Sequence, residues 1–141
     1  MRFKRRFYAS KPPEETLHLI ADFRNLKAWD DSVQSVVARD DIFAQGSQYE
    51  VSVVFCGNPI EMVYTVTVYE PGVCAVLTGV APKATAIDRV EVAATKQGTQ
   101  VDYVAEIRLA FPYNLLDPLL AIGFKKIVDH AVEGLSRFLS A

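Results

Sequence analysis

Two histidines and two cysteines are all the imidazole and thiol ligands for a metal that 141 residues hold. They stand far apart, with no Cys-x-x-Cys and no His-x-x-x-His, so no metal site is expected. Glycine-rich phosphate loops and a Gly-x-Ser-x-Gly elbow are missing too, which removes the local signatures of nucleotide binding and of serine hydrolases, and no cofactor is expected. Charged residues make up only 23%, with a net charge of −2, so nothing pulls the chain toward nucleic acid or an anionic membrane. No uninterrupted apolar run is long enough to span a bilayer. The basic start MRFKRRF is followed by polar, proline-broken sequence, so no signal peptide is expected. Cys56 and Cys74 sit in separate strand-like segments; buried free thiols in a reducing compartment are expected, with a disulfide as the alternative, and the location expected by default is cytoplasmic.

Hydrophobic side chains, by contrast, are plentiful. They make up half of the residues, and the mean hydropathy is +0.13, which suits a large core or an apolar pocket. The length fits one domain spanning residues 1–141. In RFKRRFYAS, Phe3, Arg5 and Phe7 share one face and Arg2, Lys4 and Arg6 the other, which predicts a strand with a wet side. Pro12 and Pro13, followed by Glu14 and Glu15, predict a helix start, with Leu17, Ile20 and Ala21 as its apolar stripe. NLKAW reads as a second short helical piece, ended by Asp30 and Asp31.

From Val33 to about Leu109 the period is two. Tyr49, Val51, Val53 and Phe55 form one inward row, and Ile60, Met62, Tyr64, Val66 and Val68 the next. Asp88, Val90, Val92 and Ala94 form a third, and Val101, Tyr103, Ala105, Ile107 and Leu109 a fourth. Short turns at Gly57-Asn58-Pro59, Glu70-Pro71-Gly72 and Lys96-Gln97-Gly98 predict an antiparallel meander with one buried face. The chain then changes period. Leu116, Leu120, Phe124, Ile127, Ala131, Leu135 and Phe138 recur every three or four positions, predicting one long amphipathic helix over about 115–139, capped by Asn114 or Asp117.

A strand, two short helices, a meander and a long final helix is the element order of an α+β helix-grip fold, a curved antiparallel sheet wrapped around a C-terminal helix. The segments ASKPPEETLHLIADFRNLKAWDDSV, VTVYEPG, ATAIDRVEV, GTQVDY and LLDPLLAIGFKK together resemble the START/Bet v 1-like (SRPBCC) superfamily, in its polyketide cyclase/dehydrase and lipid-transport branch. The resemblance covers essentially the whole chain. It implies a cavity between sheet and helix, closed at one end by the Trp29 stretch. Asp30 and Asp31 are then expected to make turn and capping bonds, the alternative being a catalytic carboxylate pair.

The expected function is binding of a hydrophobic small molecule, such as a lipid, polyketide or isoprenoid, in a cavity on the order of 300–1,000 Å³. Its expected lining is Trp29, Tyr49, Phe55, Met62, Tyr64, Asp88, Tyr103 and Phe124. Polar residues are scarce on the inward faces. Asp88 is the inward acid, with Arg5 as its expected partner or, at the sheet's edge, only solvent around it. The enzymatic alternative is the aldol cyclisation and dehydration that the resemblance implies for some relatives, with Asp88 as base and Tyr64 or Tyr103 as donor. A third reading makes the domain a protein-interaction module with a collapsed cavity, acting through Arg2, Lys4 and Arg6.

Overall fold

Alternating aromatic and basic side chains along Arg2–Ala9 form strand β1, with Phe3, Arg5 and Phe7 half-buried and Arg2, Lys4 and Arg6 exposed. Proline lacks the N–H that a strand ladder needs, so at Pro12 and Pro13 the chain leaves the sheet and enters helix α1 (Pro13–Ala21). Glu14 and Glu15 lie in its first turn, where the helix dipole favours negative charge. Asp22 ends the helix and starts a 3-10 turn (Phe23–Asn25) by accepting the Arg24 backbone N–H. Helix α2 (Leu26–Trp29) follows directly. The computed structural model describes residues 1–141.

The meander comprises β2 (Val33–Ala38), β3 (Gln48–Phe55), β4 (Asn58–Glu70), β5 (Cys74–Ala81), β6 (Ala84–Thr95) and β7 (Gly98–Leu109). These strands and β1 make one antiparallel sheet in the order β1-β7-β6-β5-β4-β3-β2. After Phe111 and a 3-10 turn (Tyr113–Leu116), helix α3 (Asp117–Ser140) packs across its concave face. This is the helix-grip architecture expected from the period changes. No helix is long and apolar enough to cross a membrane.

Register decides which side chains meet. Tyr64 pairs with Gly79, and Asp88 with Ala105, while Tyr103 pairs with Val90, two residues along from Asp88. Asp88 and Tyr103 are therefore diagonal neighbours on the concave face. A β-bulge at Thr67, between Val66 and Val68, shifts the end of β4 by one residue. Val68, expected on the inward row, is turned to the outer face. Tyr69 replaces it and meets Phe43 edge-on, with ring centroids 4.8 Å apart.

Helix α3 is unevenly held. Its buried residues are Val128 at its midpoint and Gly134, Leu135 and Leu139 in its C-terminal half. A Cβ at Gly134 would overlap the Trp29 carbonyl oxygen, so the backbones of α2 and α3 nearly touch there. The N-terminal half stands away from the sheet. Leu119 and Ile122 are exposed, and the apolar stripe lines the cavity only from Leu120 onward, so Leu116, in the 3-10 turn before the helix, lies outside it. Neither Asn114 nor Asp117 caps the helix with its side chain.

Two further expectations change. Arg5 points inward but bonds Asp129 of α3, Nε to Oδ1 at 2.7 Å, and not Asp88. The long helix lays Asp129 against the inner side of β1, within reach of Arg5. Both thiols are free, but Cys56 is exposed in the β3–β4 turn with a φ of 51°, so it is not a core residue, and Cys74 is half-buried.

Candidate functional site

Holding the N-terminal half of α3 off the curved sheet leaves a cavity of about 570 Å³. Of its 31 lining residues, 24 are hydrophobic, so an apolar guest loses water there at little polar cost. The cavity is open rather than collapsed. Its exposed lining residues, Pro59, Glu61, Pro82, Lys83 and Tyr113, gather at the β3–β4 and β5–β6 turns and the 3-10 turn before α3, which defines a mouth. Lys83 donates to the Tyr113 hydroxyl across this mouth at 3.0 Å. Phe55 from the end of β3 stacks on Phe124 of α3, with centroids 3.9 Å apart and planes 9° from parallel.

The opposite end is closed by buried Phe23, Leu26 and Trp29. Trp29 meets Tyr103 edge-on at 6.3 Å, and its indole Nε1 has no hydrogen-bond partner. Tyr64 lies over Gly79: a Cβ there would come within 2.6 Å of the tyrosine Cζ. Glycine thus leaves the phenol room to lean across β5 toward Asp88 on β6.

Trp29, Phe55, Met62, Tyr64, Asp88, Tyr103 and Phe124 all line the cavity. Tyr49 does not. It lies beneath the helical pair, 2% exposed, where its hydroxyl donates to Asp22 at 3.0 Å and its ring packs on Phe23. The buried Asp22 carboxylate, also held by Arg24 at 2.7 Å, draws Tyr49 into a structural cluster. His18 and His130 are exposed and absent from the lining, and no three His, Cys, Asp or Glu residues gather in a group suited to a metal ion.

Asp30 is the lining residue that strand periodicity does not reveal. Its carboxylate accepts from the Ser32 backbone N–H at 3.0 Å and the Ser32 hydroxyl at 2.6 Å, which folds the side chain back against the cavity wall. Asp31 is exposed and outside the lining. An Asp-x-Ser turn directly after a buried tryptophan is the sequence signal for such an inward aspartate.

Electrostatics set this end apart. Burial, then the negative charge of Asp30, pushes Asp88 up to about 7, opposed only by the Tyr103 hydroxyl. Burial also raises Asp30, against the pull of its Ser32 bonds. Tyr64 and Tyr103 are raised well above the ordinary phenol value by burial and by both carboxylates, so they remain protonated. The closed end therefore holds two acids and two phenols. Near neutral pH, Asp88 exchanges a proton readily.

Comparison with known proteins adds lineage. A profile of the family described as polyketide cyclase / dehydrase and lipid transport matches residues 2–139. None of the curated proteins matches the sequence. Among solved structures, TTHA0849 from Thermus thermophilus superposes with a TM-score of 0.82 at 16% identity, covering 99% of this chain and 97% of that one. The Zhui aromatase/cyclase from a Streptomyces species gives 0.78 at 10% identity, covering 99% and 93%. Ara h 8.0201 gives 0.71 at 10% identity, covering 99% and 97%. At such identities the likeness establishes the fold alone.

Proposed function

Because the chain belongs to the polyketide cyclase / dehydrase and lipid transport family, we propose that it binds a hydrophobic small molecule, such as a lipid, an aromatic polyketide or an isoprenoid, between sheet and long helix. The observation that carries this is the cavity of about 570 Å³ with 24 hydrophobic residues among 31. Its affinity comes from apolar burial at about 25 cal/mol per Å². Trp29, Phe55, Met62 and Phe124 supply apolar contact, while Asp88, Tyr64 and Tyr103 orient the guest. Native mass spectrometry of protein purified from its own host tests the reading directly. An apolar molecule of defined mass is expected to co-purify, and Ala86→Phe, which fills the cavity, is expected to exclude it. No adduct, together with unchanged melting across lipid and polyketide panels, refutes it.

The second reading, an aldol cyclase/dehydratase, is favoured by Asp88 alone, since a carboxyl titrating at about 7 matches the pH at which it would work. Its carboxylate takes a proton from the carbon next to a carbonyl. The enolate carbon then bonds to a second carbonyl carbon, whose oxygen takes up a proton to become a hydroxyl, and loss of water gives the unsaturated ring. Tyr64 or Tyr103 donates to the enolate oxygen. Asp88→Asn is expected to abolish turnover of an identified polyketone while sparing its binding; full activity in the variant removes Asp88 from the chemistry.

A further inference from the structure

Every charged group at the closed end of the cavity carries the same sign. Among lining residues that titrate, Asp30 closes α2, Tyr64 lies on β4, Asp88 on β6 and Tyr103 on β7. Glu61 and Lys83 belong to the exposed mouth with Tyr113, while β5 and α3 present only apolar residues to the cavity. Arg5, the cation on the inner face of β1, is taken by Asp129. Two carboxyls therefore face a closed space with no resident counter-ion, an arrangement that is costly unless a partner arrives.

A second observation points the same way. Tyr64 is only 8% exposed, its phenol leans over Gly79 into the cavity, and its hydroxyl has no hydrogen-bond partner. The rings of Tyr64, Tyr103 and Trp29 wall the same end, and aromatic faces attract cations. A carboxylate guest would meet two acids with no compensating cation. An alcohol would find hydrogen bonds only. A protonated amine satisfies the acids, accepts nothing it cannot hold, and leaves its apolar body in the greasy remainder.

We propose that the cavity selects an apolar molecule bearing a basic nitrogen, its ammonium lodged between Asp30 and Asp88 against the Tyr64 and Tyr103 rings. This rests on the apolar-guest reading above and adds the guest's head-group chemistry. Proton linkage follows. Asp88 titrates at about 7, so below neutrality an ammonium guest displaces its proton, and affinity rises with pH up to about 7, is level above that, and falls once the amine itself deprotonates.

The test compares octylamine, octanol and octanoate by isothermal titration calorimetry on the whole chain. Octylamine is expected to bind at least roughly tenfold more tightly than octanol, with octanoate weakest. At pH 6.5, repeating the octylamine titration in buffers of different ionisation enthalpy is expected to reveal proton release. Asp88→Asn is expected to abolish the amine's advantage over octanol and the proton release. Asp30→Asn, which keeps an acceptor for Ser32, is expected to reduce the advantage in part. Octanol binding with no preference for the amine, or a preference that survives in Asp88→Asn, overturns the head-group assignment but leaves the apolar cavity standing. If none of the three binds, the apolar-guest reading and this assignment fall together.

Discussion

Replacing Asp88 with asparagine should stabilise this protein, and only at neutral and alkaline pH. The carboxyl titrates at about 7 in the fold against an ordinary value of 3.8. A shift of about three units means that ionised Asp88 opposes folding by, at most, about 4 kcal/mol. The sign follows from proton counting. Between the two values the folded chain holds a proton that the unfolded chain has lost, so stability falls as pH rises from about 4 to about 7 and is level above that. Asparagine carries no charge but still has an amide to desolvate, so the net gain at pH 8 should be about 1–3 kcal/mol. For a chain of this length that corresponds to a rise in Tm of roughly 3–10 °C. Urea unfolding of both proteins from pH 4 to pH 9 reads the difference. The gap is expected to grow between pH 4 and pH 7 and to stay level above that, with the variant the less stable protein near pH 4 by the cost of its buried amide, and Asp30→Asn should move the midpoint downward by removing the repelling charge. A gap that is the same at pH 4 and pH 8, or a variant less stable than the parent at pH 8, refutes the reasoning.

Three other substitutions probe the supports of the site. Gly79→Ala places a methyl against the Tyr64 ring and should cost about 1–3 kcal/mol in chemical denaturation, with a displaced Tyr64 in the tyrosine NMR spectrum. Asp22→Ala should cost roughly 2–3 kcal/mol at pH 7 by stranding the buried Tyr49 hydroxyl and releasing Arg24. Burial pushes Asp22 up, but the Arg24 bonds outweigh it and hold the carboxyl below its usual 3.8, so this contribution is full above that value and should fade as pH falls below it, which acid unfolding of the two proteins checks. Phe124→Ala removes the stack with Phe55, worth about 0.5–1.5 kcal/mol, and should accelerate both entry and release of a fluorescent apolar probe in stopped-flow measurements.

The concave rows on β3, β6 and β7 are legible because half-buried strands alternate with a period of two, and the long helix because its apolar residues recur every three or four. Alternation breaks where the backbone adds a residue. The bulge at Thr67 moves Val68 out and Tyr69 in, and nothing in VTVYE announces it. Direction in a turn is also invisible to periodicity, which is why Asp30 is expected either to serve the turn or to pair with Asp31 as a catalytic carboxylate, whereas its Ser32 bonds fold it against the cavity wall without Asp31. Tyr49 has the right parity for the concave face, yet its position along β3 puts it beneath α1 and the 3-10 turn, where Asp22 claims its hydroxyl. Arg5 is expected to seek the nearest inward acid, but the acid it finds lies 124 residues away on α3. Partners chosen across elements depend on packing, which a single chain of letters does not encode locally.

The contact between Gly134 and the Trp29 carbonyl pins the C-terminal half of α3 to α2, whereas the part that roofs the cavity is tied to the sheet through the Phe124–Phe55 stack. A bulkier guest, if one binds as proposed, then has a single aromatic stack to part before the roof lifts, while Asp88 and Tyr103 stay where β6 and β7 hold them. Girth and chemistry would be read by different parts of the same wall.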